Sequence, residues 1–423
     1  MTKKGLYPDS VKPGIPKLFS PPDGWSQVYF KDVLKIVKRP VKLNNNVEYQ
    51  LVIAKRNRGG IVGRGKLKGR KILTKTQFFV KKGDLLISRR QIIHGACGII
   101  PEHLDGAIVS NEYSTLLPKS SLLEDFIKHY CHTVYFQKTC FQSSIGVDVE
   151  KMIFKIDDWL QYKFNLPPLP EQKKIAEILT TVDDKISSIE DRIQRTEQLK
   201  KGLMEKLLTE GIGHTEFKDT EIGRMPASWD TAEIGTIAIK IIGGGTPSRE
   251  RPYFYKGSIP WLTVKDLSFN RFYIYDTMEH ITNDAVQNSS ANLIPKDNVI
   301  VSTRMALGKA LINKVDMAIN QDMKALFLNK SASKNEFFLY WYLSKSKQIE
   351  KMGSGTTVKG ISLNALKGLT LPLPPIPEQK QIANILSAVD DKLDILQSKK
   401  NSYETLKKGL REQLLTGKRR VKI

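Results

Sequence analysis

Leu166-Pro-Pro-Leu-Pro-Glu-Gln-Lys173 recurs as Leu373-Pro-Pro-Ile-Pro-Glu-Gln-Lys380, and the match runs without a gap to Thr209 and Thr416. About 25 of the 44 aligned positions are identical, which marks an internal duplication. Val182-Asp-Asp-Lys185 matches Val389-Asp-Asp-Lys392, and Leu199-Lys-Lys-Gly-Leu203 matches Leu406-Lys-Lys-Gly-Leu410. The stretches between the copies are related only faintly. Each starts near a tryptophan after a proline, Pro22-Asp-Gly-Trp25 and Pro226-Ala-Ser-Trp229. Each later holds an apolar run that ends in basic residues, Asp84-Leu-Leu-Ile-Ser-Arg89 and Asp297-Asn-Val-Ile-Val-Ser-Thr-Arg304. The chain therefore reads as a variable unit (1–165), a common unit (166–215), a second variable unit (216–372) and a second common unit (373–423). One shared task and two separate tasks would produce that pattern.

The common units read as long helices. Pro170 and Pro377 stand at helix starts, where a missing N–H costs nothing, and Glu171 and Glu378 follow in the first turn, where negative charge suits the dipole. Behind them a heptad seam runs through Ile175, Leu179, Val182, Ile186, Ile189 and Ile193, and again through Ile382, Leu386, Val389, Leu393 and Leu396. It falters at Thr196, Lys200 and Lys400, and resumes at Leu203, Leu207, Leu410 and Leu414. Gly202 and Gly409 interrupt the helices at a cost of ~1 kcal/mol each, so close packing or a bend is expected there. Gly211, Gly213 and Gly417 mark the exits. A helix of about 39 residues rises roughly 58 Å, too long for an isolated core. Two such helices in one chain are expected to pair antiparallel, though the same seam would also serve to dimerise the protein.

The variable units read as mixed α/β. Val47–Ile53, Lys71–Thr74, Phe78–Val80 and Asp84–Ser88 are strand-like in the first, and Phe126 to Phe136 has helical spacing. In the second, Ser258–Thr263 and Val299–Val301 are strand-like, and Glu336–Leu343 reads as a buried helix. The fold class is thus α+β, two mixed α/β domains separated by long helices, with a pseudo-twofold internal repeat.

Charge points to the partner. Lys+Arg number 67 against 44 Asp+Glu, a net +23, and the usual compensation for such a surplus is nucleic acid. In the first unit the candidate contacts are Lys55, Arg56, Arg58, Arg64, Lys66, Lys68, Arg70 and Lys71, spaced by glycines in apparent turns, with Arg89 and Arg90 after the apolar run. Arginine forks read guanine edges, and glycines let backbone approach phosphate. In the second unit they are Thr246 and Ser248 of Gly243-Gly-Gly-Thr-Pro-Ser248, then Arg249, Arg251, Lys265, Arg304 and Lys359. The aromatics Tyr253, Phe254, Tyr255 and Trp261 read as core sooner than as stacking platforms.

Catalytic motifs are not found. Gly63-Arg-Gly-Lys-Leu-Lys-Gly69 lacks a strand–turn–helix frame, and Gly353-Ser-Gly-Thr-Thr-Val-Lys-Gly360 misplaces the residues of a phosphate loop. Asp158 with Glu171 and Lys173 imitates a nuclease carboxylate pair, but the Glu-x-Lys opens a helix and recurs at Glu378. Asn165-Leu-Pro-Pro168 matches a methyltransferase loop only superficially. His129, Cys131 and His132 lack a second ligand pair, so no metal is expected. Three cysteines without a Cys-x-x-Cys fit reduced thiols in a cytoplasmic protein. The N-terminus, with Pro8, Pro13 and Pro16, is not a signal peptide, and no run suits a membrane.

Two divergent domains alternating with two copies of a Leu-Pro-x-x-Pro-Glu-Gln helix ending in Leu-Leu-Thr resemble the Type I restriction-modification specificity subunit, over essentially the whole chain. Pro170-Glu-Gln172, Leu199-Lys-Lys-Gly202, their second copies and Gly244-Gly-Thr-Pro-Ser248 carry the resemblance. It implies two target recognition domains, 1–165 and 216–372, each reading half of a bipartite double-stranded DNA site. It implies that the conserved helical regions, 166–215 and 373–423, form an antiparallel coiled coil that sets the spacer. Two methyltransferase subunits would dock on it, with Glu171, Gln172, Glu378 and Gln379 as candidate docking residues, and two restriction subunits would complete the assembly. No cofactor is then expected on this chain; S-adenosylmethionine, ATP and magnesium belong to the partners. The competing readings are a coiled-coil nucleic-acid binder without sequence preference, and a stand-alone DNA endonuclease or methyltransferase.

Overall fold

The structure is a computed structural model that describes residues 14–267, 272–355 and 359–423. The N-terminal stretch read above, through Pro13, and Thr356 to Val358 of the glycine-rich stretch lie outside the described residues. The chain forms two compact units, one of residues 1–190 with 399–423 and the other of residues 191–398. The division falls inside both long helices, between Glu190 and Asp191 and between Ser398 and Lys399. The reason is packing: the ends of each helix are built into globular cores.

In the first unit, one sheet has the order Leu34–Ile36, Tyr113–Pro118, Leu85–Ser88, Cys97–Ile99. The other has the order Pro40–Val41, Gln77–Phe79, Ile108–Ser110, Glu48–Ala54, Ile61–Lys68. Leu85–Ser88 is buried throughout because both its faces are covered. Leu85 and Ile87 enter the larger core while Leu86 enters the smaller one, as period-two alternation dictates. The larger core centres on Phe30, which stacks on Trp159 at 4.2 Å and on Phe164 at 4.6 Å.

The second unit repeats this topology. Ala238–Gly243, Met323–Leu328, Val299–Ser302 and Ala310–Asn313 take the same order, with Tyr273–Ile274 added at the edge. His280–Ile281, Ile259–Leu262, Met317–Ile319 and Asn292–Ile294 form the second sheet. A parallel pairing recurs at equivalent places, Leu51 with Ile108 and Trp261 with Ala318. Val299 and Val301 face one core and Ile300 another.

Two expected elements differ. Lys71–Thr74 is not a strand; a 3-10 turn, Gly69–Lys71, precedes irregular chain in which only Ile72 is buried and Leu73 is 94% exposed. The helical spacing from Phe126 to Phe136 belongs to two helices, Glu124–Tyr130 and Val134–Gln142. Thr133 caps the second by accepting from the Phe136 amide at 3.2 Å.

The long helices are Leu169–Leu207, 39 residues, and Ile376–Leu415, 40 residues. Ile175 and Leu179 pack into the first unit's aromatic core, and Ile382 and Leu386 into the second's, so the first turns of each seam dock on globular structure. Val182, Ile189 and Leu396 are buried, while Ile186, Ile193, Val389 and Leu393 are half-buried. The faltering seam positions carry polar partners. Thr196 is buried and donates to the Arg192 carbonyl at 2.7 Å. Lys200 pairs with Asp390 at 2.5 Å, and Lys400 with Glu190 at 2.8 Å.

Gly202 and Gly409 do not pack closely: a Cβ on either would meet no heavy atom within 4 Å. Their helical backbone suits alanine, so Gly202→Ala with Gly409→Ala is expected to stabilise the protein by about 1 kcal/mol per site. A denaturant titration of the double variant checks this, and an unchanged or lower midpoint would count against the open-space reading.

Candidate nucleic-acid interface

The Glu48–Ala54 strand pairs antiparallel with Ile61–Lys68 to form a hairpin at the edge of its sheet. The basic cluster is therefore strand and turn, where the sequence suggested turns throughout. Lys66 and Lys68 share one strand face, and both are exposed. Arg64 sits where the register shifts between Leu51 and Val52, beside Gly65 at φ 103°. Such a bulge re-aims a side chain. Arg64, Lys66, Lys68, Arg70 and Lys71 are exposed and form no ion pair among the described residues. Unpaired lysines also guard an edge strand against adding foreign strands. The glycines have separate tasks. Gly69 is packed against the Asn44 carbonyl, where a Cβ would lie at 2.1 Å, while Gly65 opens to space.

The Lys55–Gly60 turn closes the hairpin, with Asn57 and Arg58 both left-handed at φ 57° and 63°. Lys55 and Arg56 are exposed, and Arg56 pairs with Glu150 at 3.0 Å. Arg58 instead is half-buried and lines a cavity with Tyr130 and Arg411. Arg90 is exposed and pairs with Glu112 at 2.6 Å; Arg89 is half-buried.

In the second unit the Thr246 to Arg251 loop is built on aromatics. The Trp261 indole donates to the Gly245 carbonyl at 3.2 Å, and the Tyr255 hydroxyl to the Pro247 carbonyl at 2.6 Å. Gly244 and Gly245 admit no Cβ, since Ile319 O and Ser290 Oγ would each lie at 1.9 Å. Trp261 and Phe254 are core, as expected, while Tyr253 is 50% exposed. Thr246, Ser248, Arg249 and Arg251 are exposed. Arg249 lies 4.0 Å over the Tyr255 ring and pairs with Glu279 at 2.6 Å, and Lys265 reaches Glu279 at 3.5 Å. Arg304 and Lys359 are brought close together, because Arg304 bridges to Gly360 and the Met305 amide donates to the Lys359 carbonyl at 3.1 Å. Arg304 is the counterpart of Arg90. The Thr303 and Arg89 amides each donate to the carbonyl of an acidic residue, Asp322 and Glu112. Sequence reading passed over Met305, which is 65% exposed at φ 64° beside Arg304. Nothing in its local pattern flagged it.

Glu171, Gln172 and Gln379 are buried and Glu378 is half-buried, and each makes hydrogen bonds within the chain. Glu171 accepts from the Trp25 indole at 2.8 Å and from Arg420 at 2.7 Å. Glu378 accepts from the Trp229 indole at 2.9 Å, the Ile212 amide at 2.9 Å and His214 at 2.8 Å. Burial pushes the Glu171 carboxyl up, but Arg420 and Trp25 outweigh it and hold it below the usual carboxylate range. Gln172 accepts from the Leu123 amide and donates to the Ser121 and Pro167 carbonyls. Gln379 makes the same three bonds with Lys334, Ala332 and Pro374. Gln172 and Gln379 are fully buried. These motifs fasten each helix start to its domain. The repeated tryptophans were visible in sequence, but nothing there tied them to the glutamates; Arg420 and His214 gave no signal.

Asp158 is exposed and Glu171 buried, so the nuclease-like pair does not assemble. Among the described residues no group of three His, Cys, Asp or Glu side chains is placed to hold a metal. Cys97, Cys131 and Cys140 are free and buried. No described helix is long and apolar enough to cross a membrane.

His129 is buried and lies 3.1 Å from the Thr180 hydroxyl. Burial lowers its pKa to about 4, against a partial opposing pull from Asp183. An unfolded histidine titrates near 6.5, so between pH ~6.5 and ~4 the unfolded chain takes a proton that the folded chain refuses. Stability is expected to fall by up to about 3 kcal/mol as pH drops through that window. Urea midpoints across pH 7 to 4, compared with His129→Gln, check this: the variant should lose that part of the slope.

The family model described as the Type I restriction modification DNA specificity domain matches residues 22–199 and 226–405. The chain therefore belongs to the Type I restriction-modification specificity family. It is 32% identical over 310 residues to a putative type I restriction enzyme MjaX specificity subunit of Methanocaldococcus jannaschii, covering 73% of this chain and 71% of that protein. It is 28% identical to the MjaVIII specificity subunit of the same organism, covering 95% and 94%. The fold matches a Type I restriction-modification S subunit from M. genitalium, with TM-score 0.58, 14% identity and coverage of 92% and 96%.

Proposed function

We propose that this chain is the non-catalytic DNA-reading subunit of a Type I restriction-modification enzyme, and that its target is bipartite and asymmetric. One recognition domain reads each half-site. The observation that carries this reading is one topology presenting two unlike cationic surfaces: a long hairpin bearing Arg64, Lys66 and Lys68, and an aromatic-backed loop bearing Thr246, Ser248, Arg249 and Arg251. Phosphate contacts position such surfaces, and side chains reaching base edges specify the sequence.

The long helices form an antiparallel coiled coil with pseudo-twofold symmetry. In support, Asp183 pairs with Lys407 within the first unit, and Asp390 with Lys200 within the second. These are the same two positions of each copy with their roles exchanged, which is what a self-complementary contact requires. The coil sets the spacer and offers equivalent surfaces to two methyltransferase subunits, while two restriction subunits complete the cytoplasmic assembly. S-adenosylmethionine, ATP and magnesium act on those partners.

Mapping methylated adenines in a host that carries the chain with its methyltransferase partner tests this. One asymmetric bipartite motif is expected. A continuous or palindromic motif, or methyl transfer by the purified chain alone, would overturn the reading.

A further inference from the structure

The first unit holds a cavity of about 350 Å³ beside the exit of the second long helix, within the size range of small-molecule pockets. The second unit has a counterpart of about 990 Å³ at the exit of the first long helix. The same helix face lines both: Lys408, Arg411, Glu412, Leu415 and Thr416 in one, Lys201, Met204, Glu205, Leu208 and Thr209 in the other.

Charge separates the two. In the first, Lys17, Arg58, Lys138, Lys408 and Arg411 face a single carboxylate, Glu412. In the second, Glu197, Glu205 and Glu221 offset the lysines and arginine. Arg411 replaces the Met204 of the other copy, so the extra charge is not inherited from the repeat. Its Nε is buried and has no hydrogen-bond partner among the described residues. Burial, and then Arg58 beside it, pull Arg411 below the ordinary arginine range. A guanidinium keeps its proton in proteins, so this charge is held without its full complement of partners. The remaining lining includes Phe19, Tyr130 and Tyr135.

We propose that this cavity binds a phosphate group carried on a flat ring, as in a nucleoside monophosphate. The Arg411 fork matches phosphate oxygens, and Phe19, 67% exposed, offers a face to the ring. A free nucleotide and the phosphorylated end of a nucleic-acid strand supply the same chemistry. The proposal is independent of the target-reading function.

Calorimetric titration of the full-length chain at constant ionic strength tests it, with AMP, adenosine, and a trinucleotide with and without a 5′-phosphate as probes. AMP is expected to bind saturably, and adenosine at least about tenfold more weakly. R411M, which installs the other copy's residue, should weaken AMP at least about tenfold, and R411K should retain part of the binding. Without ligand, R411M should melt no lower than the parent, because a poorly partnered buried charge is gone. Binding of the phosphorylated trinucleotide alone would support the site and name a strand end as its source. If neither phosphate-bearing probe outbinds its unphosphorylated form, or if both R411M and R411K bind as the parent does, the proposal is overturned.

Discussion

Replacing Arg64, Lys66 and Lys68 together by alanine is expected to weaken DNA binding about a hundredfold at moderate salt, from roughly 1 kcal/mol for each charged phosphate contact. The three side chains are exposed on an edge strand and have no acidic partner among the described residues, so removing them takes nothing from the folded core. The logarithmic salt dependence of binding should flatten by up to about 2.7, at 0.9 per phosphate neutralised. The measurement is the affinity of the chain with its methyltransferase partner for a cognate duplex across a salt series. A competing explanation gives these cations only the task of guarding the strand edge. It predicts unchanged affinity and slope, with aggregation in their place, so one titration separates the two.

Gln172→Ala is expected to destabilise the first unit by about 3 kcal/mol, because it strips partners from one half-buried amide and two carbonyls at once. For a body of about 200 residues that corresponds to a thermal midpoint lower by roughly 10 °C. Gln379→Ala should do the same in the second unit, where Lys334, Ala332 and Pro374 lose their partner. Differential scanning calorimetry of both variants checks this. DNA affinity per folded molecule should remain unchanged. A variant that melts normally but fails to bind the methyltransferase partner would return Gln172 to a docking role.

The helices were legible because their signals are local. A proline, an acidic first turn and a heptad seam are all contained in the segment that folds. The strands flanked by turns were legible for the same reason. The roles of Glu171 and Gln172 were not, since their partners Trp25, Arg420 and Leu123 are remote in sequence and a buried carboxylate looks like an exposed one until its neighbours are known. The basic hairpin was read as turns because five glycines, and the bulge at Arg64, obscured the period of two that puts Lys66 and Lys68 on one face. Arg58 shows the limit of counting charge: its neighbours in sequence are exposed, but left-handed backbone turns it toward Tyr130 and Arg411. Gly202 and Gly409 were expected to mark close packing or a bend, and each faces open space, which leaves no packing role. Shared descent explains their repetition without a packing need.

On the proposed reading, the paired helices fix the distance between two independent readers. Inserting one heptad into each long helix and mapping methylated adenines tests it most directly. Seven residues add about 10.5 Å, up to about three base pairs of duplex at 3.4 Å each. The spacer should lengthen by one to about three base pairs while both half-sites stay as they were. Altered half-sites around an unchanged spacer would mean that the helices do not set the distance.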